Sequence, residues 1–159
     1  MAIYLKYDTI KGNVTAEGFK EWIELGSFQW GVGRGIGSAH GSEGVRESSE
    51  PSLSEVSVTK MLDKSSNDLL TAALHGKPVK AEIVFTRTKS GGGGVEEFLR
   101  YELSNTMTSG YSISSGGDRP SESLSLNFTK VMVKNSVAKL DNTGEPVSMT
   151  YDLSTAKNA

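Results

Sequence analysis

Cysteine is absent from the 159 residues, which excludes a disulfide framework, a thiol nucleophile and any thiolate metal site. The redox compartment stays open, because a secreted chain can do without bridges. Histidine is nearly absent too: His40 and His75 are the only two. A multi-histidine metal site would need both, one in a glycine-rich stretch and one at a helix end. His75 reads more simply as a cation near the negative end of that helix, and His40 as a loop residue. No run approaches the roughly 18 apolar residues of a membrane span, so membrane insertion is not expected. Neither sign of charge dominates. With 17 basic and 19 acidic side chains, the formal charge is -2, and no nucleic-acid partner is announced.

Apolar residues are few, at 36%, while 22 Ser and 18 Gly are present. That balance fits polar strands joined by many turns. A chain of this length buries roughly 68–70% of its unfolded surface, enough for one core, so residues 1–159 are expected to form a single domain. The opening MAIYLKYDTI has no basic leader, apolar run and cleavage site, so any export is expected to bypass an ordinary signal peptide. Folded structure is expected to begin at once.

Period-two alternation dominates what is there. In KPVKAEIVFTRT, Val79, Ala81, Ile83 and Phe85 point one way while Lys80, Glu82 and Thr86 point the other, the pattern of a half-buried strand. After Ser90 and four glycines, Val95, Glu97, Leu99, Tyr101 and Leu103 alternate against Glu96, Phe98, Arg100 and Glu102, which predicts a long antiparallel hairpin. Phase shifts near Lys130, and across Gly26 between Leu25 and Phe28, suggest bulges or barrel corners. Further strands are predicted at Ala2–Asp8, Leu53–Leu62, Met107–Ser115 and Pro146–Leu153. The count leads to a mainly β fold: a closed or nearly closed antiparallel β-barrel of about eight strands with one flanking α-helix.

The helix is KSSNDLLTAALHGK, with Ser65 or Ser66 as cap, Asp68 at the positive end, and an apolar stripe of Leu69, Leu70, Ala73 and Leu74 before Gly76. It is expected outside the barrel, plugging one end or flank. An extended loop at about 33–52 is the longest irregular stretch, with five glycines between residues 33 and 44. A loop of roughly 20 residues in one domain is either mobile or ordered by contact, here as a docking arm for another subunit. No internal repeat at a period of about 20–50 residues is found, which excludes solenoids and propellers.

The glycines at 31, 33, 35 and 37 miss the dinucleotide-binding spacing, since Ile36, Ser38 and His40 occupy the third-glycine positions. No phosphate-cradling loop and no nucleophile elbow occurs. Glu96 and Glu97 should face opposite sides of a strand and so make a poor acid/base pair. Trp22, Phe28 and Trp30 sit in an alternating strand and read as core, not as a stacking platform. Asp141-Asn142-Thr143-Gly144 reads as a turn and lacks the ligand ladder of a calcium loop. Neither an enzyme nor a cofactor nor a metal is expected.

Five segments carry a resemblance: IYLKYDTIKG, WIELGSFQWGV, SSEPSLSEVSVTKMLDKSSNDLL, SLSLNFTKVMV and VSMTYDLSTAK. Together they make the chain resemble the hemolysin-coregulated protein (Hcp) family of type VI secretion systems, over nearly its whole length. The Ser48 to Leu70 block is the most specific part. Tyr151-Asp152-Leu153 stands where relatives commonly carry Trp-Asp-Leu, a mild departure. The resemblance implies a β-barrel flanked by a helix, six copies in a ring, and rings stacked into an inner tube expelled by a contractile sheath. It also implies a lumen that carries and protects effector proteins, contact with spike and sheath, and a bacterial cytoplasmic stage followed by secretion without a cleaved signal. Fused toxins in such relatives follow long C-terminal extensions, and only a few residues follow Leu153 here, so no appended catalytic domain is expected. A ring of identical subunits needs two unlike patches that meet head to tail. The arm, with Arg46, Glu47, Ser48, Ser49, Glu50 and Pro51, is the candidate contact with an adjacent ring or subunit. Stacking through Arg46, Glu47 and Glu50 should be salt-sensitive. The alternatives are a phage tail-tube-like protein of a contractile particle and a monomeric barrel that binds a small ligand.

Overall fold

A computed structural model describes residues 1–37, 48–136 and 146–158. Its architecture follows from the alternation. In β1 (Ala2–Tyr7) the inward parity holds Ile3, Leu5 and Tyr7, and in β7 (Val79–Thr88) it holds Ala81, Ile83 and Phe85. The two strands pair antiparallel with Leu5 opposite Ile83, so both apolar rows meet the same core. Each fully buried aliphatic side chain of this kind contributes on the order of 1.5–3 kcal/mol.

β2 (Ile23–Leu25) pairs with the other side of β1, and β8 (Val95–Ser114) with the other side of β7. The hairpin between β7 and β8 turns through glycines, with Gly91, Gly92 and Gly94 at positive φ, as its sequence predicts. Sequence reading expects two strands where β8 runs unbroken for 20 residues. At Asn105, φ is 50°, and there the strand leaves one sheet for the other. Its first part pairs with β10 (Lys130–Asn135), its last part with β9 (Ser121–Asn127). β9 in turn pairs with β6 (Val56–Met61), and β6 with β3 (Ser27–Gln29). β10 continues outward to β11 (Val147–Asp152) and β12 (Lys157–Asn158). The phase shift expected near Lys130 is the step from β9 to β10 through buried Phe128.

Among the described residues there are twelve strands, not about eight, two of them, β4 (Val32–Gly33) and β5 (Ser52–Leu53), forming a separate pair. The mainly β expectation with one helix is met; the ladder does not close, so the closed or nearly closed barrel is not confirmed. Its path runs β12-β11-β10-β8-β7-β1-β2 and remains open between β2 and β3. Gly26 lies between those two, and its N–H donates to the Thr59 carbonyl at 2.7 Å, so the chain changes sheets without a continuous pairing.

The space between the two sheets is filled by Leu5, Ile23, Val58, Ile83, Leu103, Leu124 and Leu126, all essentially without solvent contact. Phe28 and Trp30 pack half-buried against this core, with Phe28 4.8 Å from Tyr101 between ring centroids. Trp22 joins Tyr4, Phe19 and Val84 in a second cluster on the outer face of β1 and β7. The helix α1 (Ser66–His75) packs against β8. Only part of the expected stripe faces inward: Leu69 is buried, whereas Leu70 and Leu74 are exposed. Sheet contact on one narrow side of a short helix leaves its neighbouring positions in water.

Candidate functional site

The arm begins where β3 ends. Gly31 and Ser54 exchange two bonds: the Gly31 N–H donates to Ser54 Oγ at 2.9 Å, and the Ser54 N–H to the Gly31 carbonyl at 2.9 Å. β4 and β5 then pair, Val32 opposite Leu53 and Gly33 opposite Ser52, and a further bridge joins Ile36 to Ser48. Ser49 ties the ribbon at Gly35, its Oγ accepting from the Gly35 N–H at 2.9 Å while its own N–H donates to the Gly35 carbonyl at 2.9 Å. A Cβ at Gly35 would lie 3.0 Å from Ser49 Oγ, so glycine permits this close approach. Of the candidate contact residues, the structure places Ser48, Ser49 and Glu50 exposed and Pro51 partly covered on this ribbon. Arg46 and Glu47 lie outside the described residues, as do His40 and the Asp141–Gly144 turn.

A second constellation was missed by sequence reasoning. Lys60 on β6 and Glu122 on β9 are directly opposite in register, and both side chains are fully buried. Lys60 Nζ bonds Glu122 Oε2 and also reaches Asp63 Oδ1 at 3.0 Å and the Met61 carbonyl at 2.9 Å. Ser66 Oγ donates to Glu122 Oε2 at 2.8 Å and accepts the Asp63 N–H at 3.0 Å. The Tyr111 hydroxyl donates to Glu122 Oε1. Burial, reinforced by that carboxylate, pushes the Tyr111 phenol up to about 12. The helix start is therefore held by its serines in an unexpected way: Ser65 Oγ donates to Asp63 and makes no cap bond to the helix backbone. The signal was present, since Lys60 shares the parity of Val56 and Val58, and Glu122 that of Leu124 and Leu126. Lys60 and Glu122 are sealed from solvent at the centre of this network, which ties β6, β8, β9 and α1 together.

The outward faces of the two sheets differ in chemistry. On β7 and β8 they carry an ion-pair lattice in which the Arg100 guanidinium meets Glu97 at 2.7 Å, Glu82 at 3.1 Å and Glu102 at 3.8 Å. Burial would lower the Arg100 pKa, and the three carboxylates outweigh it, holding the group above its ordinary value. Arg87 holds Glu96 and Arg100 holds Glu97. On β3, β6, β9 and the end of β8 the outward positions are uncharged. Ser27, Thr59, Ser123 and Ser112 form one row across the strands, and Gln29, Ser57, Ser125 and Gly110 the next. His75 is exposed in the last helical turn. Among the described residues no group of three His, Asp or Glu side chains is placed to hold a metal ion, and no helix is long and apolar enough to cross a membrane.

The sequence profile of the family described as "Type VI secretion system effector, Hcp" matches residues 4–134. The chain belongs to the Hcp family. Its similarity to the protein hcp1 of Pseudomonas aeruginosa is 33% identity over 107 residues, 64% of each chain, so it spans 64% of the length of that curated relative. Among solved Hcp-fold structures, one described as a type six secretion system protein has 25% identity and a TM-score of 0.85, with 99% of both chains covered. Hcp1 from Salmonella typhimurium has 22% identity and a TM-score of 0.77, covering 99% of this chain and 98% of its own, a likeness of fold.

Proposed function

We propose that this Hcp-family chain is a ring-forming subunit of the inner tube expelled by a type VI secretion system, and that it carries effector proteins in the ring lumen instead of catalysing a reaction. The observation that carries this reading is the β4–β5 ribbon. It leaves the body as its own two-stranded sheet, with Val32 and Ile36 exposed, and a protruding patch unlike the rest of the surface is what head-to-tail assembly requires. The expected barrel would close through the order β1-β2-β3-β6-β9-β8-β7, in which Gly26 spans the unpaired step from β2 to β3.

The uncharged hydroxyl rows of β3, β6, β9 and β8 suit the wall of a passage, because small neutral groups make weak, exchangeable bonds to whatever moves past them. On this reading the partners are further copies of the chain, spike and sheath proteins and effectors, without nucleic acid or membrane insertion. The chain works first in the bacterial cytoplasm and then outside the cell. The filled space between the sheets counts against a monomeric ligand binder. Size-exclusion chromatography and negative-stain imaging test the proposal: a species near six chain masses with annular particles is expected, and a lone subunit at high concentration would overturn it.

A further inference from the structure

An unpaired strand edge exposes N–H and C=O groups and recruits another strand when it is also apolar. β11 has such an edge. On one side β10 pairs with all of it, from Val147 to Asp152, while on the other β12 reaches only Tyr151 and Asp152. Among the described residues no strand lies beside Val147–Thr150 there. Val147 and Met149 share one face and are 69% and 46% exposed. No proline or charged side chain falls within these four positions to blunt the edge.

The β4–β5 ribbon has the converse deficit. Among the described residues it pairs with no third strand, and a two-stranded ribbon alone in water is marginal. Val32 and Ile36, exposed at 56% and 49%, give it an apolar surface about half open to water. Each element offers what the other lacks, and a heterologous contact between identical copies needs two unlike patches of this kind. We propose that the ribbon of one copy adds to the Val147–Thr150 edge of a second copy, seating Val32 and Ile36 against Val147 and Met149. The proposal rests on the reading of the chain as a self-assembling subunit and names the surface that receives its arm.

The absence of native cysteine makes disulfide trapping a direct test. Val32→Cys and Met149→Cys variants, mixed and mildly oxidised, are expected to yield a covalent dimer. Its yield should be roughly 10-fold above that from Val32→Cys mixed with Lys6→Cys on the outer face of β1, since docking raises the local thiol concentration towards the mM range. Size-exclusion chromatography of the same mixtures reports assembly separately. Assembled rings without the dimer overturn the ribbon's docking and leave self-assembly standing. A Val32→Cys/Met149→Cys double variant that closes its disulfide within single chains overturns it as well, because the ribbon then sits on its own β11. Chains that stay monomeric throughout overturn both readings.

Discussion

Lys60 and Glu122 stand opposite each other on neighbouring strands, fully buried, and neutralise one another in the interior. The pair occupies positions where alternation calls for apolar side chains. Its bonds reach Asp63, Ser66 and Tyr111, so one ionic contact sets the register of β6 on β9 and anchors the start of α1.

Removing either partner alone leaves the other charge buried without compensation. Lys60→Ala is expected to lower unfolding free energy by about 3–5 kcal/mol, and Glu122→Ala by a similar amount. The double variant Lys60→Met/Glu122→Leu should recover most of that loss. Urea unfolding monitored by tryptophan fluorescence checks this, and equal costs for single and double variants would show that the charges do not compensate one another.

Tyr111 predicts an alkaline limit. Its phenol is raised from the ordinary value near 10 to about 12, so the folded state keeps a proton that the unfolded chain loses first. Stability from this source is complete below pH 10 and is lost as pH rises towards about 12. Tyr111→Phe should be less stable than the parent at pH 8 and show a shallower decline across that window. Parallel declines in urea midpoints would count against the assignment.

Gly12 is close to the chain it crosses. A Cβ there would fall 2.3 Å from the Trp22 carbonyl oxygen and 2.6 Å from the Ile23 Cα, and backbone cannot give way as a side chain can. Gly12→Ala is expected to cost about 1–3 kcal/mol or more, measured as a lowered melting temperature.

The arm should matter for assembly more than for folding. Ser49→Ala removes the hydroxyl that holds Gly35, and deletion of residues 44–51 removes the arm's tip together with Ser48 and Ser49. On the proposed tube reading, both variants should keep the circular dichroism of the parent and still form rings while losing ring stacking in electron micrographs. Tubes of normal length from the deletion variant would exclude the arm as the stacking element.

Alternation made much of the fold legible. β1, β7, the first part of β8 and β11 fall where their periodicity puts them, and the glycine turn after Ser90 joins the hairpin it predicts. Local spacing could not reveal that β8 continues through Asn105, because a residue at positive φ resembles a break when only the pattern is read. Nor could it separate Leu69, which is buried, from Leu70 and Leu74, which are not, since all three fit one helical stripe. The ribbon was visible as a glycine- and serine-rich stretch, but its order comes from Gly35 meeting Ser49, two residues whose closeness no composition announces.

By itself, then, the order of amino acids determined which side chains share a strand face, where the turns fall, and that no thiol chemistry is available. Tertiary structure decided which strands became neighbours, where the ladder stays open, and that a lysine and a glutamate 62 residues apart in the chain would meet in the core. The physical reason is range. Side-chain direction along a strand is set by each residue's own backbone geometry, whereas pairing and charge burial are settled by desolvation and packing against segments far away in sequence.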